Sequence, residues 1–274
     1  KQAGLIDYPA KLTPTKEAPR RELSISTRAI RPNPRTIRNE ERSMRSSLAA
    51  YFADEGEHIA RVAESASINS VDTAVYAAVD LQAEAWRLLY QELVTYTASI
   101  FARAAMKEAT KAEGDLIWQN LIQDWIESEG AERVVGILDE TKRQLKIVID
   151  AGMQEGLSIP SIARNIRAQY DNMSKVRAVR IARTEVVAAS NLGTISGARA
   201  TGLAMKKFWI VSTDGRERDE HAQAGEDYSE DRAIPLDAMF DVGGESLDFP
   251  GDSSHGASAW NVIQCRCTAG YIPE

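Results

Sequence analysis

Apolar residues along most of this chain recur at three- and four-residue steps, the period of a helix with one buried face. From about residue 39 the stripe runs Met44, Leu48, Tyr51, Phe52, Ile59 and Val62. A second long helix is predicted over about 73–111, on Leu81, Ala85, Leu88, Leu89, Leu93, Tyr96, Ile100 and Phe101. Shorter ones follow over about 115–127 (Ile117, Trp118, Leu121, Ile122, Trp125) and 131–151 (Val134, Ile137, Leu138, Leu145, Val148), after which Gly152 and Gly156 punctuate the chain. Ser158-Ile159-Pro160 reads as an N-cap with an early-turn proline, opening a helix to about Tyr170. Ser174 is the predicted cap of the next, over about 175–200, which ends near Gly202.

Beyond Gly202 the pattern changes. Met205 to Ser212 is short and strand-like, Thr213-Asp214-Gly215 marks a turn, and Val242-Gly243-Gly244-Glu245 marks a hairpin. Phe249-Pro250-Gly251-Asp252 is another turn, Ser253 to Ala259 a small polar loop expected to be mobile, and Asn261 to Tyr271 the expected closing strand. Ahead of the helices, residues 1–38 hold five of the nine prolines and no helical period, so they are expected to be extended and irregular. The predicted fold is mainly α with a small C-terminal α+β domain. Its parts are an extended Pro-rich basic arm (1–38), a helical domain (39–172) and a C-terminal domain (173–274) made of a helix followed by short strands.

Charge sharpens this division. Residues 1–47 carry 11 Lys/Arg against 5 Asp/Glu, whereas residues 200–274 carry 6 against 14. A basic arm on an acidic body suits contact with nucleic acid or an acidic protein surface, while the acidic remainder argues against a general DNA-binding body. No apolar run reaches the roughly 18 residues of a membrane span, and no signal-peptide pattern opens the chain. Two cysteines are too few for a disulfide framework and fit a reducing compartment. The chain opens on Lys1 rather than Met, and it reads as the ordered portion of a longer polypeptide.

Most chemistry-bearing side chains fall in the last seventy residues. Cys265 and Cys267, two apart on a predicted strand, face the same way. They could offer two thiolates to a structural zinc ion, with His221 adding an imidazole and His255, Asp214 or Asp252 a fourth ligand. The competing reading is two buried free thiols. Arg183 and Glu185 lie two apart on a helix and so do not face each other. They are expected to form ion pairs with the Asp214–Glu220 loop, in a set that includes Arg216, Arg218 and Arg266. An enzyme would draw on the same residues: Asp214, Arg218 and His221, with Glu185 and Arg266, could serve phosphodiester cleavage as acid/base and phosphate clamp. No Walker loop, G-x-S-x-G elbow, H-E-x-x-H or dinucleotide fingerprint accompanies them.

Read in order, several segments resemble the phage Mu F-like minor head protein family, also known as the phage head morphogenesis domain. They are Arg180-Ile181-Ala182-Arg183-Thr184-Glu185 with Asn191 and Gly193; Gly202, Lys207 and Trp209; Asp214, Arg216, Arg218, His221 and Gly225; Phe240, Gly244 and Phe249-Pro250-Gly251-Asp252; and Asn261-Val262-Ile263-Gln264-Cys265-Arg266-Cys267. The matched stretch covers about residues 130–272. It departs from the family at Gln264, where Asn is usual. The resemblance implies a virion protein of a tailed phage or prophage, made in the host cytoplasm and placed inside the head at the portal vertex, with a role in assembly and DNA delivery. The partners implied are the portal protein, further copies of the chain in a ring, and the major capsid or scaffold protein. It brings no catalytic residues and no cofactor. The basic arm (1–47) is then expected to dock on the portal or on neighbouring copies and to touch packaged DNA. A nuclease or toxin-like enzyme on Asp214, Arg218 and His221 is the alternative.

Overall fold

A computed structural model describes residues 29–110 and 117–274. Most of the expected arm, residues 1–28, lies outside these, as do residues 111–116 between the second and third expected helices. The described chain is mainly helical with short antiparallel strands at its C-terminal end, the class that the hydrophobic pattern predicts. Its helices are α1 (Pro34–Ser65), α2 (Val71–Asp80), α3 (Ala83–Thr110), α4 (Ile117–Trp125), α5 (Ala131–Gln154) and α6 (Ile159–Ala200). The C-terminal part adds β1 (Met205–Ile210), α7 (Asp219–Asp227), β2 (Ile234–Pro235), β3 (Phe240–Val242), β4 (Glu245–Leu247), the single turn α8 (Ala259–Val262) and β5 (Thr268–Pro273).

Helix boundaries differ from the sequence reading in four places. Helix α1 starts at Pro34, inside the stretch expected to be extended. Asn33 accepts a hydrogen bond from the Arg35 amide at 2.8 Å, and Pro34 occupies the first turn, where its missing N–H costs nothing. The helix expected over 73–111 is broken at Leu81-Gln82. The break changes the phase of the stripe, so Leu81, Leu88 and Tyr96 are exposed while Trp86, Tyr90, Val94 and Phe101 face the core. Helices α4 and α5 are joined by a π-turn, Ile126–Gly130. One wider turn keeps Trp118, Ile122 and Ile126 on the same buried side as Val134 and Leu138.

The fourth difference matters most. The two helices expected over 158–170 and 175–200 are one, the 42-residue α6, which runs straight through the 172/173 boundary. Ser158 is the N-cap residue with a proline in the first turn, as predicted. Ser174, the predicted second cap, instead donates its hydroxyl back to the Asp171 carbonyl at 2.9 Å. Tyr170, Met173 and Arg177 stay buried on one side through this polar stretch, so the stripe is never interrupted. At 1.5 Å per residue the helix is about 63 Å long. Along its length it packs against α1, α3, α4 and α5. From Thr184 to Ala198 every residue is buried, so this stretch has no polar face. The backbones approach closely there: a Cβ on Gly193 would stand 2.1 Å from the Ala98 carbonyl oxygen of α3.

Helix α6 leads through Gly202, at φ +65°, into a three-stranded antiparallel sheet of order β2-β1-β5. Phe208 pairs with Gly270 and Trp209 with Ala269. On the free edge of β5, Ile30 exchanges two backbone hydrogen bonds with Tyr271 (2.8 and 2.9 Å), so the end of the arm is pinned to the chain's own sheet. The predicted hairpin is β3–β4, with Gly243 at φ +63° and Gly244 at φ +83° forming the tight turn. The closing strand is shorter than expected. Residues 259–262 form the turn of α8, and only 268–273 belong to β5. The loop expected to be mobile is hydrogen-bonded near both ends, through Ser253 to Glu129 and the Ser258 amide to Glu245.

Glu55 is 3 % exposed in the α1–α3 interface, where Trp86 Nε1–H donates to it at 3.1 Å and its other oxygen has no hydrogen-bond partner among the described residues. Burial raises its carboxyl to about 7, against the opposing pull of the Trp86 bond and the Arg177 charge. In the unfolded chain the same group titrates at about 4.3. The folded state therefore holds a proton that the unfolded state gives up, and stability that is complete below about pH 4 is lost as pH rises through 7. The loss is on the order of 3 kcal/mol. Glu55→Gln keeps the acceptor for Trp86 and removes the titration. Urea unfolding is expected to find variant and parent alike near pH 4 and the variant more stable near pH 8; the same difference at both pH values would contradict this.

Candidate metal centre and its anchorage to the long helix

Helix α7 opens at Arg218 in extended geometry, with Asp219 and Glu220 in its first turn, where carboxylates favour the helix dipole. One residue later, His221 points inward and is 2 % exposed. Cys265 and Cys267, each 2 % exposed, approach it from the irregular segment between α8 and β5 rather than from a strand. Gln264, at φ +58°, turns the backbone so that both sulfurs converge. His221 Nδ1 lies 3.7 Å from Cys265 Sγ and 3.5 Å from Cys267 Sγ. Among the described residues, these three form the one His/Cys/Asp/Glu group whose ligand atoms all lie within 4.8 Å of one another.

The imidazole is oriented from behind. Asn261 donates its amide hydrogens to the Val242 carbonyl (3.0 Å) and Glu245 Oε2 (2.7 Å). Its oxygen is thereby left to accept from His221 Nε2–H at 3.2 Å, and the Nδ1 lone pair faces the two sulfurs. Trp209 meets the ring edge-on, with centroids 5.6 Å apart. The two thiols influence each other. The hydrogen bond from Cys265 draws Cys267 down to about 5, whereas that bond and burial push Cys265 up.

Other residues singled out in the sequence go elsewhere. His255 and Asp252 face each other at 3.3 Å in a separate cluster, and Asp214 pairs with Arg266, so none of the three expected fourth ligands joins His221. Arg218 donates to the Ile263 carbonyl at 2.7 Å and lies over the Trp260 ring, and Arg216 lines the same shallow groove. Asp214, Arg218 and His221 therefore do not surround a common point: His221 is enclosed with the thiols, and the other two are engaged at the surface. Glu185 does not reach the Asp214–Glu220 loop. It is buried against Arg133 of α5 (2.8 Å) and the Tyr90 hydroxyl of α3 (2.6 Å). Arg183, on another side of α6, donates to Gln264 at 3.4 Å, and its charge acts on Glu41 of α1.

Several key contacts could not be read from the sequence, although Asn191 and Lys207 stand among the residues of the resemblance. Arg133 joins Glu185 to the Gly251 carbonyl (2.8 Å) and the Ser253 hydroxyl (3.0 Å) while lying over Trp125. Burial opposes its charge, but Glu185 and Tyr90 more than restore it. Asn191, fully buried in α6, donates to the Pro250 and Cys267 carbonyls (2.9 and 3.2 Å) and accepts from the Ala269 amide at 3.0 Å. One side chain thus fastens the Pro250 turn and the start of β5 to the long helix. Asp248 gathers Lys207 of β1 and Arg199 of α6. Burial lowers the Lys207 ammonium, against Asp248. A lysine inside the Met205–Ile210 apolar run was the available sign of such a pair.

Residues 143–270 match the family model described as phage Mu protein F like protein, and the chain carries a Mu F-like head morphogenesis domain over that stretch. No curated protein and no solved structure matches the chain. The domain begins inside α5 and spans α6 and the sheet, so it includes Glu185, Asn191 and the His221–Cys265–Cys267 group but not Arg133 or Tyr90. Within the matched stretch, Gln264 adopts the left-handed conformation that Asn takes more readily than Gln.

Arg133→Met is expected to strand Glu185 as a buried charge and cost about 3 to 5 kcal/mol. Adding Glu185→Gln, which still accepts from Tyr90, is expected to recover more than half of that in urea unfolding. A double variant as unstable as the sum of the two single changes would show that the pair does not couple α5 to α6.

Proposed function

We propose that this protein is a minor head protein that sits with the portal inside the phage head, in several copies, and takes part in assembly and DNA delivery. The observation that carries the reading is the Mu F-like domain over residues 143–270, which supports a phage head morphogenesis protein. The build of the molecule supports the finer placement. The buried bonds of α6 to the surrounding loops hold shape, and Asp214, Arg218 and His221 do not converge on a reacting group. Large apolar side chains on the helical surface, among them Leu81, Leu88, Ile117, Val135 and Ile147, remain exposed and suit packing against neighbouring subunits. No helix among the described residues is long and apolar enough to cross a membrane.

The arm supplies the second part of the proposal. Its basic charge favours an acidic protein surface or packaged DNA. Since Ile30 and Asn33 belong to the folded body, the docking segment is residues 1–28. Proheads assembled with the intact chain are expected to contain it, cross-linked to the portal. The chain lacking residues 1–28 should keep its helical signal and fall at least about tenfold in incorporation, which a lost contact of about 1.4 kcal/mol suffices to produce. Absence of the intact chain from proheads would sink the head placement, and undiminished incorporation of the truncated chain would sink the role of the arm.

A further inference from the structure

We infer that His221, Cys265 and Cys267 bind a thiophilic divalent cation of the zinc class, which ties α7 to the segment entering β5. Three independent features of the geometry point there. The first is spacing. With Zn–N of about 2.0 Å and Zn–S of about 2.3 Å, a tetrahedral site sets nitrogen and sulfur about 3.5 Å apart. The distances from His221 Nδ1 to the two sulfurs are 3.5 and 3.7 Å, so an ion fits between them with little movement of the side chains.

The second feature is the direction of the imidazole. A histidine that binds a metal characteristically donates its other ring N–H to a fixed acceptor, which sets the tautomer and aims the lone pair. Asn261 does this here, and its own amide group is held by Val242 and Glu245. The third is position in the fold. The sheet has three short strands and the neighbouring hairpin strands are three residues each, so little regular structure ties α7 to Cys265 and Cys267. An ion bonded to both would contribute directly to the stability of this part. Two soft sulfur donors and one imidazole favour zinc over magnesium or calcium, which prefer oxygen. On binding, each thiol gives its proton to solvent and each sulfur donates a lone pair to the ion, with no change of oxidation state. The three side chains fill three positions, and water takes the fourth.

The test uses the full chain. Expressed with zinc and purified without chelator, it is expected to hold about one zinc ion per chain. Replacing zinc with cobalt(II) should produce a sulfur-to-cobalt charge-transfer band and the visible bands of tetrahedral cobalt. Chelation is expected to lower the thermal midpoint and make both thiols reactive to a thiol reagent, and added zinc to reverse both changes. Cys267→Ser should lose the charge-transfer intensity and most of the zinc. A folded parent chain with no stoichiometric zinc and no cobalt bands would overturn the assignment, as would a folded Cys267→Ser chain that still holds one zinc ion. Should Cys267→Ser fail to fold, the measurements on the parent chain decide by themselves. None of these readouts depends on the protein's place in the phage head.

Discussion

The structure depends on a helix that has no solvent side. From Thr184 to Ala198 every residue of α6 is buried, and every polar group it carries must find a partner inside the protein. Glu185 finds Arg133 and Tyr90, and Asn191 finds Pro250, Cys267 and Ala269. Just past the enclosed stretch, Arg199 finds Asp248 and through it Lys207. These partners come from other elements, often far away in sequence. Satisfying the helix therefore assembles the rest. An unpaired charge at such a site costs several kcal/mol, which makes each link strongly cooperative with its neighbours.

That constraint also explains what the residue pattern could and could not reveal. The helical class, the Ser158 start of α6, the Gly243-Gly244 hairpin and the strand at Met205 were legible because each rests on local chemistry: a period, a cap, a turn or an alternation. The unbroken α6 was not. Asp171-Asn172-Met173-Ser174 looks like a helix end, and only burial of Met173 and Tyr170 against other helices shows that it is not. The break at Leu81-Gln82 was equally hidden, since it contains neither glycine nor proline. At the site, His221, Cys265 and Cys267 were found by residue type, although the backbone that joins them is a left-handed turn at Gln264 rather than a strand. Arg183 and Glu185 were recognised as needing separate partners, but which partners they take is a tertiary fact. Arg133 is one arginine among many until the helices are packed.

These links place function in an unusual light. The residues that mark the Mu F-like domain mostly build connections: between α6 and the Pro250 turn, between α6 and β5, and between α7 and the cysteine segment. Among the described residues, exposed features lie elsewhere, on the outer faces of the helices and in the arginine-lined groove beside Trp260. A body that is locked internally can make its contacts through peripheral parts without losing its shape. The bridge between Ile30 and Tyr271 sets the junction, because it fixes on the sheet edge the point from which the basic segment departs.

The central claim is that α6 makes the helices and the C-terminal strands one cooperative body. Native-state hydrogen exchange tests it most directly, by comparing the opening free energy of the Thr184–Ala198 amides with those of the paired β1 and β5 amides. The account predicts one shared value, equal to that of global unfolding. Strand amides that open at a clearly lower free energy, while α6 keeps its full protection, would contradict it.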